Sequence, residues 1–175
     1  MPTEIKKLIY LGLAQSHIEY GIPIWFNKKF SLKATKIQKK LVRNIANAAY
    51  NAHSAPLLYE HKILNPENLF EFAVCRAIKK AKINEAPTRI MNIFNPNEEH
   101  VRPQRYPNNL KIDFDAQEKR IGYEMPKIWN SLSEELKSES MNLKAFLKRT
   151  KEDMLEFYKQ HICTKDNCHA CNTKK

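Results

Sequence analysis

Apolar residues recur at intervals of three and four along most of this chain, the spacing of one face of an α-helix. Ile5, Leu8, Ile9, Gly12 and Leu13 share such a face behind an opening Thr3-Glu4. The pattern predicts a first helix ending near Tyr20-Gly21, with Pro23 as a stop soon after. Trp25 and Phe26 then fall in a connector that burial of an aromatic ring would anchor. Ser31 is a suitable N-cap for a second helix running to about Tyr50. Its core stripe is predicted to be Ala34, Ile37, Leu41, Ile45 and Ala48. Ser54 is placed to cap a short helix carrying Pro56, Leu57, Leu58 and Tyr59. Asn65-Pro66-Glu67 is a stronger start, combining a cap, a proline at the first helical position and an acid in the first turn. Leu69, Phe70, Ala73, Val74, Ala77, Ile78 and Ala81 then cover nearly half of that helix, with Cys75 read as a small core or boundary residue.

The periodicity breaks from Asn84 to Asn109, where Pro87, Pro96, Pro103 and Pro107 fall among asparagines. The expected organisation is a helical lobe over residues 1–83, a linker over 84–109, a second lobe over 110–160 and a tail over 161–175. Lys111-Ile112-Asp113-Phe114-Asp115 alternates as a short strand does. Asp113 and Asp115 would share one face there, and a polar turn-flanking face is preferred to a metal site because no third acid is recognisable nearby. Trp129 is expected to be buried. A final helix starts at Asn142, with Leu143, Phe146, Leu147, Thr150, Met154, Phe157 and Tyr158 at helical spacing. The predicted fold is mainly α, an irregular helical domain with a candidate small β element after the linker.

Composition agrees with helices: 3 glycines among 175 residues, with 42% hydrophobic positions. That length suffices for one domain with a modest core. Mean hydropathy is -0.62, and no apolar run approaches the roughly 20 residues that span a bilayer. Lys6-Lys7 before Leu8 to Ala14 has the outline of a short signal peptide, but Gln15, His17 and Glu19 follow at once. An amphipathic helix fits better. Three of the four cysteines crowd the last thirteen residues, unlike a disulfide framework. A reducing, intracellular compartment is expected, nucleus or cytoplasm.

Charge changes the picture more. The net charge is +11, which favours polyanions. The excess is clustered: no acid occurs between Glu19 and Glu60, while Lys28, Lys29, Lys33, Lys36, Lys39, Lys40 and Arg43 all do. On a helix, Lys33, Lys36, Lys40 and Arg43 form a stripe roughly 130° from the core stripe. A solvated face usually mixes signs, and this one does not. Those four residues are the candidate nucleic-acid contacts. The expected partner is RNA or single-stranded DNA bound through its backbone with little sequence preference, because lysine offers point charge more than base-edge geometry.

Catalytic chemistry is hard to find. Clustered carboxylates for Mg²⁺ and glycine-rich phosphate loops are not recognisable. His17 and His53 have no readable nucleophile to serve, so both are read as structural. The tail does carry ligand chemistry: His161, Cys163, Cys168 and Cys171, with His169 as a substitute, offer a set for one structural Zn²⁺. A cysteine-bearing tail without metal, or a site completed by another chain, is the alternative.

Several short signatures occur in order. They are Ser16-His17-Ile18-Glu19-Tyr20-Gly21 with Trp25, Ile37-Gln38-Lys39-Lys40 with Arg43, and His53 with Pro56-Leu57. Ile63-Leu64, Trp129-Asn130-Ser131-Leu132, and Phe146 with Lys148 complete the set. In this order and spacing the chain resembles the region after the polymerase core in reverse transcriptases of jockey-type non-LTR (LINE-like) retrotransposons, from about Leu8 to Tyr158. The paired-aspartate metal signature of such polymerases is absent from the sequence. The resemblance implies a non-catalytic C-terminal part of an RNA-directed DNA polymerase, packing on the polymerase core and contacting template RNA or RNA–DNA hybrid. The alternatives are a purely structural helical scaffold and a stand-alone product of a decayed mobile element.

Overall fold

The structure, a computed structural model, describes residues 1–25, 28–83, 85–86, 109–110, 123–138 and 140–159, without the side chains of Gly21 and of residues 23–30. The fold is mainly α, and no strand occurs among the described residues. In chain order the elements are α1 (Thr3–Ile9), a π-helical turn (Tyr10–Gln15), α2 (Ser16–Trp25), α3 (Lys28–Ile45), α4 (Ser54–Glu60), α5 (Pro66–Lys82), α6 (Met125–Asn130), α7 (Glu134–Lys137) and α8 (Leu143–Lys159). The segment 111–115, where a strand is predicted, lies outside the described residues, as do most of the Pro/Asn-rich segment and the whole of 160–175. The chain divides into two compact units: Met1–Phe70 with Lys151–Lys175, and Glu71–Thr150. Both divisions fall inside long helices, α5 and α8, rather than at the ends of the predicted lobes.

In the first unit the first helix does not stop at Tyr20-Gly21 but continues past Pro23 to Trp25. An interior proline forfeits one backbone bond and costs about 3 kcal/mol. Ile22, beside it, is fully buried, and burial of an isoleucine stabilises by about 1.5–3 kcal/mol, an offset of the same order. The side chain of Trp25, predicted as a buried anchor, lies outside the described residues.

The π turn is closed by a backbone bond from the Ser16 N–H to the Leu11 carbonyl. Widening a helix by one residue leaves carbonyls without their usual donors. Here the side chains beyond the turn replace them: the Ser16 hydroxyl donates to the Gly12 carbonyl, and His17 Nδ1 is bonded to the Leu13 carbonyl. The predicted apolar face of this helix exists, but it points outward: Ile5, Leu8, Ile9 and Leu13 are all exposed, and Tyr10 is the buried residue.

α3 begins at Lys28 and ends at Ile45, so Ser31 is an interior residue rather than a cap. Ser31 is buried, and its hydroxyl donates to Glu67 Oε1 at 3.0 Å. The predicted core stripe is also rotated. Ile37 (59% exposed) and Leu41 face solvent, whereas Ser31, Ala34, Gln38, Val42 and Ile45 are buried. Gln38 explains the rotation. Its Nε2 donates to the Tyr10 hydroxyl at 2.7 Å and to the Leu64 carbonyl at 2.8 Å. A buried amide is tolerated only when bonded in this way.

Two helices of this unit close on left-handed residues that are not glycine. Asn47 has φ 51° and Lys62 has φ 55°. Around Asn47 the Ala48 N–H reaches the Arg43 carbonyl and the Asn47 N–H reaches the Asn44 carbonyl. Around Lys62 the Ile63 N–H reaches the Leu58 carbonyl and the Lys62 N–H reaches the Tyr59 carbonyl. Both are Schellman endings. The second is reinforced by burial of Leu58 and Ile63. In α4 the cap position falls on His53, and Ser54 is a buried first-turn residue instead of the predicted cap. At α5, Asn65 Oδ1 accepts from the Asn68 N–H at 2.8 Å, as its sequence position predicts. The Tyr158 hydroxyl accepts from the Asn65 N–H at 3.3 Å.

The second unit has its core in Ala73, Val74, Cys75, Ile78, Ala81, Leu110, Trp129, Leu136 and Phe146. Trp129 is 0% exposed, as predicted, with its ring 5.9 Å from that of Phe146. Asn142 caps α8 through the Ala145 N–H at 2.8 Å. Along α8, Phe146 and Thr150 are buried in this unit. The remainder of the helix belongs to the first unit, where Leu155 and Tyr158 are buried and Phe157, one of the residues at helical spacing, is exposed.

Candidate nucleic-acid interface

α3 carries seven lysines and arginines and no acid. With its buried stripe centred on Gln38 and Val42, Lys33, Lys36 and Lys40 occupy the opposite side, and all three are exposed. They follow one another at three- and four-residue spacing. At 1.5 Å per residue the row from Lys33 to Lys40 extends about 10 Å along the axis. The rotation of the core stripe therefore leaves the predicted cationic row in place and sets it more squarely toward solvent. Ile37, which the sequence places in the core, stands exposed beside these lysines instead.

Arg43, the fourth predicted contact, is placed differently. It is half-buried, and its Nε donates to the Ala52 carbonyl at 2.7 Å. That bond ties the last turn of α3 to the connector leading into α4. Arg43 thus holds the end of the row rather than extending its exposed surface. Lys39, on the same helix, is buried and stands outside the row. The side chains of Lys28 and Lys29 lie outside the described residues.

Two further lysines are withdrawn from the surface in the second unit. Lys79 Nζ donates to the Ser138 carbonyl at 2.8 Å and lies 5.6 Å from the Phe146 ring centroid. Lys137 Nζ donates to Asn109 Oδ1 at 2.7 Å, the Asn130 carbonyl at 3.0 Å and Glu134 Oε1 at 3.0 Å. Both are almost fully buried. Carbonyl oxygens and a ring face replace the water that a buried ammonium would otherwise lose. The sequence reading gave these two lysines no place beyond the net charge.

His17 and His53 are exposed, and the Nδ1 of His17 is engaged by the π turn. His61 is buried, with Nε2 lacking a hydrogen-bond partner. Cys75 is fully buried, and desolvation first, then the nearby Glu71 carboxylate, pushes its thiol up to about 12. That is the setting of an inert core thiol. Among the described residues no three His, Cys, Asp or Glu side chains gather as a metal site. The predicted zinc ligands His161, Cys163, Cys168 and Cys171, with His169, lie outside the described residues. No described helix is long and apolar enough to cross a membrane.

No family model, curated protein or solved structure matches the chain.

Proposed function

We propose that this chain is a sequence-tolerant, backbone-directed binder of RNA or single-stranded DNA, and that it serves as a non-catalytic C-terminal part of a retrotransposon reverse transcriptase. The observation that carries the binding half is the row of Lys33, Lys36 and Lys40, exposed together on a helix without a single acid. Each lysine that meets a phosphate releases condensed counterions, which gives affinity without reading sequence. Arg43 contributes by fixing the end of α3 through Ala52. The exposed Ile37 offers apolar contact beside the charges.

The retroelement half rests on the ordered signatures from Ser16 to Lys148. Among their residues, Gln38 bridges Tyr10 and Leu64, Trp129 is core, and Asn130 is paired with Leu110. The polymerase core of a parent element is the protein partner in this reading. A helical scaffold with no ligand of its own is the second reading, and the tie between Arg43 and Ala52 favours it to the extent that it removes one cation from the row. Binding of short fluorescent RNA and DNA strands across a salt series separates the two. A binder shows a steep loss of affinity with salt that depends on the three lysines. A scaffold shows neither.

A further inference from the structure

The connector after α3 holds an aromatic ring out to solvent close to the cationic row. The Ala52 N–H donates to the Ala49 carbonyl at 2.9 Å, which makes Tyr50 and Asn51 the central pair of a β-turn. Tyr50 is 80% exposed. An exposed aromatic by itself carries little meaning. Its attachment here carries more. Arg43 grips this connector twice: its carbonyl accepts from the Ala48 N–H at 2.9 Å, and its Nε donates to the Ala52 carbonyl at 2.7 Å. At about 100° per residue, Arg43 lies about 20° round α3 from Lys36 and about 60° from Lys40. The Ala52 carbonyl is thus met from the side of α3 that carries the row, at its C-terminal end, about 10 Å beyond Lys36 along the axis.

Given the strand binding proposed above, on which this rests, we propose that Tyr50 is a stacking platform for an unpaired base, so that the site discriminates unpaired strands from duplex. Lys33, Lys36 and Lys40 select a polyanion, and a nucleic-acid strand is the polyanion that carries flat rings as well. In a duplex those rings are stacked on one another and closed to a side chain at the surface. In an unpaired strand they are free to meet one. A tyrosine has two side-chain torsions to order, and here its backbone is already held at both ends of the turn, so little entropy is lost on contact. The division of labour follows. The lysines supply affinity whether or not the strand is paired, and the ring supplies the discrimination. Every base offers a face to stack, so tolerance of sequence is kept.

Fluorescence anisotropy of the full chain on three probes tests this: a mixed single strand of about ten nucleotides, an abasic strand of the same length, and a duplex of the same sequence. The wild type is expected to bind the abasic strand about tenfold or more weakly than the single strand, the size of one base–aromatic stack. Tyr50→Ala is expected to lose the same factor on the single strand and nothing on the abasic strand or the duplex. Tyr50→Phe keeps the ring and is expected to bind as the wild type does. The salt slope is expected to be equal for all three proteins, because no charge changes. If Tyr50→Ala binds the single strand as tightly as the wild type, with a steep salt slope that depends on the three lysines, the platform is overturned and the strand binding stands. An equal loss on the single and abasic strands overturns the platform too. A wild type that binds no strand overturns both. A wild type that holds the abasic strand as tightly as the single strand overturns the platform without any substitution, so that comparison decides if Tyr50→Ala lowers the urea midpoint.

Discussion

The side chain of Asn130 pairs with both backbone groups of Leu110, its Oδ1 accepting from the N–H at 2.8 Å and its Nδ2 donating to the carbonyl at 2.9 Å. A side-chain amide here does what a neighbouring strand would do for one residue. Leu110 is buried, so neither backbone group has ready access to water.

Asn130→Ala is therefore expected to destabilise the second unit by about 1–3 kcal/mol, the cost of leaving buried polar groups unpaired. Asn130→Asp should cost at least as much. It keeps the shape and the acceptor, but it turns a carboxylate oxygen toward the Leu110 carbonyl. Urea unfolding followed by circular dichroism gives both values. A loss below the error of the measurement for both variants would show that the pairing is dispensable.

Replacing Lys62 by glycine is expected to stabilise the first unit. The residue sits at φ 55° and is exposed. A side chain in the left-handed region costs roughly 1–2 kcal/mol, part of which glycine returns to the unfolded chain as entropy. A net gain of about 0.5–1 kcal/mol is expected in the same urea experiment. Asn47→Gly should gain less, because asparagine tolerates that region better than lysine does.

Stability should fall on the alkaline side. Burial first, then the Glu71 carboxylate, pushes the Cys75 thiol up to about 12 in the fold. Burial also raises the Tyr10 phenol, although its bond with Gln38 opposes the shift. Both are acids whose folded-state pKa lies above the unfolded one. Their contribution is whole below the unfolded pKa and is lost as pH rises toward the folded one. For Cys75 that window runs from 9.0 to about 12, and the unfolded chain releases its proton first. Each such group gives a slope approaching about 1.4 kcal/mol per pH unit. Cys75→Ala should flatten the fall of the unfolding midpoint through this window, while leaving the dependence between pH 6 and 8 unchanged. An identical alkaline slope in the variant would assign the effect to other groups.

Changing Lys33, Lys36 and Lys40 together to glutamine is expected to reduce the slope of log affinity against log salt by about 2–3, from roughly 0.7–0.9 per neutralised phosphate. The substitutions lie on exposed positions and should leave the helix content intact. Arg43→Gln is expected to behave differently, with a smaller change in slope and a measurable loss of stability from the bond to Ala52. Fluorescence anisotropy on short strands at several salt concentrations measures the first effect, and urea unfolding the second.

The asparagine caps were readable and the serine caps were not, since Ser31 lies inside α3 and Ser54 in the first turn of α4. Asn65 and Asn142 hold the first turns that their positions imply, and Pro66 opens a helix as the N1 preference predicts. The core face of α5 follows from apolar spacing, and Trp129 is buried as its place in the Trp-Asn-Ser-Leu word implies. What the apolar pattern missed was the polar part of the core, and with it the position of the α3 stripe. Gln38 is the centre of a buried stripe because its amide meets the Tyr10 hydroxyl and the Leu64 carbonyl, and nothing local announces that. Lys79 and Lys137 are buried against carbonyls outside their own helices, those of Ser138 and Asn130. Pro23 was read by its local propensity, whereas tertiary burial of Ile22 beside it carries the helix through. Lys33, Lys36 and Lys40 are exposed because the rotated core stripe lies farther from them than the predicted one, whereas Arg43 is drawn into its bond with Ala52.

The π turn also makes the first helix a device that counts residues. One extra residue is stored between Tyr10 and Gln15 without breaking the helix. Deleting a residue there would let the segment relax to ordinary α geometry while the residues on either side keep their facing. The same deletion in α2, which stores no spare residue, would turn everything before it by about 100°. Lys6 would then leave the Asn44 carbonyl at the end of α3, and Tyr10 would turn away from Gln38. The π turn is thus where this helix absorbs a change of length, and α2 is where the same change becomes a rotation.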